Sequence, residues 1–345
     1  MNDYNVHICI KSELKDLQQF INDHWRKNHI LATSQKLMDW QHYNKENEKY
    51  NFVLAKHLKS DAIHGVLGFI PVNHFDKAIK EKDLWMAMWK VREDNSAQGL
   101  GLSLLKYLIN YEDPRSISVL GISPETIPLY KYLGFNTGVM NHYYIVNNSK
   151  KNFNLIKNYK KLEQTQLVKE NSIKMIRYEK SNFLTLCERS KFFTLNRMIP
   201  NKTSYYIYQR YFCHPIYNYC VYGLENNNVI VGIMVIRLTS YDSSNALRLV
   251  DFVGDAHELS GLFNLFQKLL QEFCAEYIDF YNIGIQEQIL ISNGFLQRNS
   301  DNGVIIPNYF EPFESKNVDI EYAYKCENGH HFNICKGDGD QDRPN

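Results

Sequence analysis

The chain has no excess of charge of either sign: 39 basic residues stand against 38 acidic ones, a net charge of +1. No global field gathers a polyanion, so no nucleic-acid partner is expected. No run reaches the ~18 uncharged apolar residues that a membrane span requires, so no membrane insertion is expected. No basic region followed by an apolar core opens the chain, so no signal peptide is expected and the expected compartment is the cytoplasm. The seven cysteines lack framework spacing and read as reduced thiols. Cys326, His330, His331 and Cys335 lie close together but without a usual zinc pattern. They are read as a strand and hairpin end, with no metal. What the chain has in quantity is aromatic rings, 24 Tyr and 19 Phe, which fill cores and also line sites for sugars and nucleotides.

A domain takes ~100–200 residues, so 345 residues suggest two. Apolar spacing predicts a helix over 12–32, strands over 51–55, 65–72 and 84–91, and a helix over 102–110. A strand over 117–122, a helix over 124–133 stopped by Gly134, and two strands within 137–146 follow. Residues 149–175 are rich in Lys, Asn, Gln and Glu and read as a solvated linker. The order then recurs. A hairpin over 221–224 and 229–238 leads to a strand over 247–253, an amphipathic helix over 257–273 and a strand over 277–283. A helix over 286–292 ends in Gly294-Phe295, and closing strands cover 304–306 and 321–324. Two copies of one α/β unit are expected, each a mixed twisted sheet flanked by helices. The expected division is 1–148, a linker 149–175, a second unit 176–330 and a polar tail 331–345 that hangs free, with its aspartates folding over a cationic amine as the alternative.

One stretch carries specific chemistry. The strand ending at Val91 runs into Gln98-Gly99-Leu100-Gly101-Leu102, and a helix starts there. Glycines let backbone approach a ligand closely, and free N–H groups at a helix start favour an anion such as a pyrophosphate. The dinucleotide-binding spacing is absent, because a third glycine and a later acidic residue are missing. About thirty residues on comes Leu129-Tyr130-Lys131-Tyr132-Leu133-Gly134-Phe135.

With these two motifs the sequence resembles the GNAT superfamily of acetyl-CoA-dependent N-acyltransferases, in detail over about residues 50–146 and by element order over 221–325. The family loop is commonly Arg/Gln-x-x-Gly-x-Gly/Ala. Here those positions are Ser96, Ala97, Gln98, Gly99, Leu100 and Gly101, with Ser96 in place of the usual basic or amide residue. The resemblance implies acetyl-CoA as cosubstrate, held along Trp89, Val91, Ser96 and Gln98 through Leu102. It implies Tyr130 as the acid that protonates the departing thiolate, since a phenol stays protonated at neutral pH. A core tyrosine capping the sheet is the plain alternative. A backbone N–H near Trp89 to Val91 would hold the carbonyl oxygen as charge develops.

The strand Leu84–Lys90 carries no acid, so the base that takes the ammonium proton must come from elsewhere. His142, His64 or a group from the second half are the candidates. The second half lacks the glycine loop. Asp255, His257 and Glu258 stand in its place, and the two acids repel a pyrophosphate. Its expected task is to hold the acceptor. Basic and aromatic residues interleave from Lys202 to Tyr219, including Arg210 and His214, and Trp25 and His29 form a similar group early in the chain. These are the candidate acceptor contacts, with aromatic packing between domains as the alternative for the later cluster. The expected reaction is acetyl transfer to a small-molecule primary amine. An amino sugar is favoured, possibly nucleotide-linked and destined for surface polysaccharide. Two rivals remain: an aminoacyl-tRNA-dependent transferase of the two-unit kind, and a non-catalytic acyl-CoA-binding module.

Overall fold

A computed structural model describes residues 3–94, 98–160, 172–190, 192–195, 198–299, 303–326 and 332–344. Its strands, in chain order, are β1 (Tyr4–Ile10), β2 (Tyr43–Asn44), β3 (Lys49–His57), β4 (Ile63–Pro71), β5 (Asp83–Val91), β6 (Ser116–Leu120), β7 (Asn136–Val139) and β8 (Asn141–Val146). They continue with β9 (Lys174–Tyr178), β10 (Tyr219–Asn226), β11 (Val229–Tyr241), β12 (Ser244–Gly254), β13 (Ala275–Ile283), β14 (Leu296–Gln297), β15 (Glu321–Cys326) and β16 (Ile334–Cys335).

Two eight-stranded sheets result. One has the order β1-β3-β4-β5-β6-β15-β7 with β2 on β3, the other β14-β8-β13-β12-β11-β10-β9 with β16 on β13. Each contains one parallel pair, β5 with β6 and β12 with β13. A parallel pair needs a crossover. Helices Leu100–Glu112 and Phe263–Glu272 provide the two crossovers, burying Leu104, Leu105 and Leu108 in one case and Phe266, Leu269 and Leu270 in the other. The expected α/β class and the tandem repeat of mixed sheets are both present.

The units are not separate along the chain, as the expected division at 148 would have them. Only Met140 lies between β7 and β8. One residue is too short for a hairpin, so the chain runs on into the other sheet. There β8 pairs with β13 from Asn141↔Asn282 to Val146↔Tyr277. In return β15 enters the first sheet between β6 and β7. The two halves have exchanged a strand each.

Other expectations change too. The early helix is interrupted: Leu14–Phe20 is followed by a wide turn over Ile21–Trp25, an extended Arg26 and a left-handed Asn28. Residues 304–306 form no strand, apart from a bridge between Lys157 and Ile305. The linker is partly docked. Leu155 and Ile156 are buried, and the N–H groups of Asn154 and Leu155 donate to the Glu276 carboxylate at 2.7 and 2.8 Å. Residues 161–171 lie outside the described set.

The largest correction concerns the expected free tail. Asp338, Asp340 and Asp342 are buried. The tail threads between the units, beside an apolar layer that includes Phe75, Tyr206, Tyr211, Tyr219, Val250 and Tyr281. All seven cysteines are unpaired. Among the described residues no helix is long and apolar enough to cross a membrane.

Candidate active site

The site begins with a parting of strands. β5 pairs with β6 only from Asp83↔Ser116 to Met86↔Val119, yet stays on β4 as far as Val91. A bulge in the β4–β5 register between Leu67 and Phe69 accompanies the departure. Beyond Met86 the β6 side of β5 is therefore open. A cavity of about 500 Å³ lies against this opening, between the two units. Ala87, Trp89 and Lys90 of β5, the turn after β6 and Tyr130 form one wall. Tyr217, Arg237 and residues 308–311 form the other. Lys336 and Asp340 through Arg343 of the tail enter it, and half-exposed Trp25 stands at the rim.

Helix Leu100–Glu112 starts beside the splayed strand. Its N-cap, Gly99, has φ +82°, a left-handed conformation that side chains resist. Gly99 has no side chain with which to cap this helix start, and helix-start N–H groups favour an anion. Gly101 lets the first turn sit on β5, where an added Cβ would come within 3.3 Å of Trp89 Nε1 and 3.5 Å of Val91. Leu100 is buried, leaving its backbone as the part that faces a ligand. Gln98 is exposed in the turn before the helix, and Leu102 is half-buried. Val91 backs Gly101 and does not line the cavity. Ser96 lies outside the described residues.

Tyr130 is buried and lines the cavity. Its ring meets Trp89 and Phe135 edge-on at 6.0 and 5.3 Å. Burial alone pushes its phenol above the ordinary value, so it stays protonated.

The expected base is a correction. His142 sits on β8 in the other sheet, stacked on Tyr281 at 3.7 Å. Its Nε2 bonds Asp279 at 3.0 Å, and its Nδ1 accepts from Arg298 Nε at 2.9 Å. Both nitrogens are committed, burial lowers its pKa to about 4, and it does not line the cavity with Tyr130. His64 is likewise away from the cavity, bonded to Tyr4 and stacked on His57.

The later aromatic cluster is packing, not acceptor binding. Lys202 Nζ bonds Asp251 at 2.7 Å and Asp338 at 2.9 Å. Arg210 donates to the carbonyls of Gly337 and Gly339 at 3.0 and 3.2 Å, with its guanidinium 5.0 Å from the Trp40 ring. His214 Nδ1 accepts from the N–H groups of Ile216 and Tyr217. These three hold the tail or a local turn and do not line the cavity. His29 is buried, its Nδ1 accepting from Leu31 N at 3.2 Å. Of the five expected acceptor contacts, Trp25 alone lines the cavity.

Further cavity residues come from the tail, whose aspartates the sequence offered as a cover for a cationic amine only as the alternative to a free tail. Asp342 receives the Arg237 fork at 3.0 and 2.7 Å and the Tyr219 hydroxyl at 2.7 Å. Burial opposes its charge, but Arg237 holds its carboxyl well below the usual range. Asp340 has the reverse balance: burial raises its pKa, and Arg343 offsets only part of this. Lys336 meets Asn308, and burial together with Arg248 lowers its amine. The available signal was the Gly337-Asp338-Gly339-Asp340 alternation, which a solvated tail does not require.

The second unit repeats the parting and closes it. β12 pairs with β13 only as far as Leu249↔Phe280 but stays on β11 to Gly254. β16 occupies the gap, pairing with Asn282 and Ile283, and Gly337 N donates to Val250 O at 2.6 Å. A Cβ on Gly337 would meet the Tyr211 hydroxyl at 2.5 Å, so only glycine fits. Asp251, Cys335 and Asp338 bring three possible metal ligands together, but the Lys202 ammonium stands among them. Burial works against that ammonium, and the two aspartates outweigh it. Before the crossover helix, Asp255 caps the short turn Ala256–Leu259 through His257 N, and Asn293 Oδ1 accepts from the N–H of the helix N-cap, Leu262, at 3.1 Å.

No family model matches the chain, and no curated protein matches it. Solved structures do. A GCN5-related N-acetyltransferase from Anabaena variabilis ATCC 29413 matches with a TM-score of 0.57 at 10% identity, over 93% of this chain and 72% of that one. Another from Kribbella flavida matches with a TM-score of 0.55 at 10% identity, over 94% and 71%. A conserved protein of unknown function from Enterococcus faecalis V583 matches with a TM-score of 0.54 at 9% identity, over 92% and 72%. The chain therefore has the fold of the GCN5-related N-acetyltransferase superfamily, built as two tandem units.

Proposed function

We propose that the protein is an acyl-CoA-dependent N-acyltransferase with one active site, in the first unit. The observation that carries this is the splay of β5 from β6 beyond Met86, opening onto the cavity beside an uncapped helix start at Gly99. The N–H groups of Gly99 through Leu102 receive the pyrophosphate of the cosubstrate. The acyl thioester lies along the open edge of β5, near Ala87 and Trp89, where backbone N–H groups hold the carbonyl oxygen as its charge grows. A primary amine attacks the carbonyl carbon. The C–N bond forms, the C–S bond breaks, and Tyr130 gives its proton to the leaving sulfur. Asp340 takes the proton from the new ammonium. Its burial and raised pKa suit a base, and it stands in the same cavity as Tyr130.

Acetyl is the acyl group to test first, and an amino sugar the first acceptor. The Trp25 ring at the rim suits a sugar face. Lys202, Arg210 and His214 no longer support that acceptor, because they are spent on packing.

The test is thiol release from acetyl-CoA over a panel of amines, with wild type and Tyr130→Phe. Turnover should fall by roughly 10²–10⁴ in the variant while CoA binding persists. CoA binding with no thiol release for any amine would leave a binding module and sink the transferase reading.

A further inference from the structure

The cavity contains four basic side chains, and three are committed. Lys90 bonds Glu93 at 2.8 Å. Arg237 grips Asp342 with two nitrogens. Lys336 meets Asn308. Arg343 differs. Its Nε reaches Asp340 at 3.3 Å, a long contact, and its Nη1 is buried without any hydrogen-bond partner among the described residues. A buried guanidinium N–H left unmade is costly, and one in a cavity wall points to a ligand that completes it.

A second donor lies near it. His29 is almost wholly buried, and its Nδ1 accepts from Leu31 N, which leaves the proton on Nε2. That Nε2 also lacks a partner among the described residues. Arg343 is close enough for its charge to help keep His29 neutral, second to burial. His29 is not a lining residue. Among the described residues the unmatched donor in the cavity wall is therefore Arg343 alone. An unmatched donor calls for an anion, and a guanidinium fork matches carboxylate or phosphate.

Asp340 is the complement. Asp340 and Arg343 face each other as a loose ion pair three residues apart. A bare ammonium would take Asp340 and strand Arg343. A bare anion would do the reverse. A ligand with both charges replaces the pair without leaving either charge buried and unpaired.

We propose that the acceptor is a zwitterion: a primary amine that also bears a carboxylate or phosphate, with Arg343 receiving the anion and Asp340 the ammonium. This rests on the acceptor site argued above. It makes a free hexosamine a poor substrate, and an amino acid or a phosphorylated amino sugar a good one.

The experiment is a binding titration in the presence of CoA, read by tryptophan fluorescence from Trp25 and Trp89 in the cavity wall. The probes are matched pairs: glycine with glycinamide, and glucosamine 6-phosphate with glucosamine. In the full-length wild-type chain, the anionic member of at least one pair should bind roughly 10- to 100-fold more tightly. Which pair responds separates carboxylate from phosphate. In Arg343→Gln that preference should vanish, and Arg343→Lys, which keeps charge and loses the fork, should retain part of it. Equal binding within both pairs, no binding by any probe, or a preference that survives in Arg343→Gln would overturn the proposal. Thiol release is followed in parallel samples in which acetyl-CoA replaces CoA. Selective binding without release would sink acyl transfer and leave the zwitterion site standing.

Discussion

In the first unit β5 leaves β6 after Met86, and the gap opens onto a cavity lined by Trp89, Tyr130 and Asp340. In the second, β12 leaves β13 after Leu249, and the chain's own residues 334–338 fill the gap. The helix starts differ as well. The first has Gly99 in a left-handed turn, whereas the second has the Leu262 N–H satisfied by Asn293. One scaffold thus takes two forms. The open splay is the one proposed to receive a ligand. The same splay becomes structure once a strand and a buried Lys202–Asp251–Asp338 triad occupy it. The two are also joined. The segment that plugs the second opening continues to Asp340 and Arg343 in the first unit's cavity, and Gln341 Nε2 anchors it to Leu120 O at 2.9 Å.

This contrast can be broken at its strongest point first. Lys202→Met leaves Asp251 and Asp338 buried without their cation, and should cost about 3–5 kcal/mol of unfolding free energy in urea titration. A loss below about 1 kcal/mol would show the plug to be peripheral to the fold. Asp340→Asn should lower kcat by roughly 10²–10⁴, with little change in the urea midpoint. Its pH dependence has a defined sign. Burial raises the Asp340 pKa, and a base works deprotonated. The wild-type acid limb should therefore lie above the ordinary Asp value of about 4, with activity lost as pH falls through it. The limb should be absent from the residual activity of the variant.

The helix starts give the smaller effects. Asn293→Ala strands the buried Leu262 N–H and should cost about 1–3 kcal/mol by urea titration, with CoA affinity unchanged. Gly99→Ala should cost about 1–2 kcal/mol, the penalty for a left-handed turn with a Cβ. Unlike the first, it should also weaken CoA binding several-fold by calorimetry. If the two substitutions changed CoA affinity alike, the assignment of one site to the first unit would fail.

Much of the fold was legible in the sequence because it rests on local pattern. The leucines of Leu100–Glu112, the apolar face of Phe263–Glu272 and the left-handed Gly134 and Gly294 ending matched short helices announce the repeat. The glycine turn and Tyr130 were legible for the same reason. The strand exchange was not. Pairing partners far apart in sequence leave no periodic trace, and the single residue between β7 and β8 looked like an ordinary break. The tail failed for another reason. Three aspartates within five residues read as solvated, and they are buried because Lys202 and Arg237 pair with Asp338 and Asp342, while Arg210 holds the carbonyls of Gly337 and Gly339. Lys202 and Arg210 then looked like free acceptor contacts, since their partners in the tail lay over 100 residues away. Local pattern located the glycine turn, while the cavity between the units depends on contacts that local pattern does not encode.

The central claim is that acyl-CoA has one seat, at the open splay, and that the other splay is closed by the chain itself. Amide hydrogen exchange with and without CoA tests it most directly. The expected result is new protection at residues 98–103 and along 87–91, with residues 254–262 and 334–338 unchanged. Protection appearing in the second unit, or none at the glycine turn while CoA is bound, would contradict it.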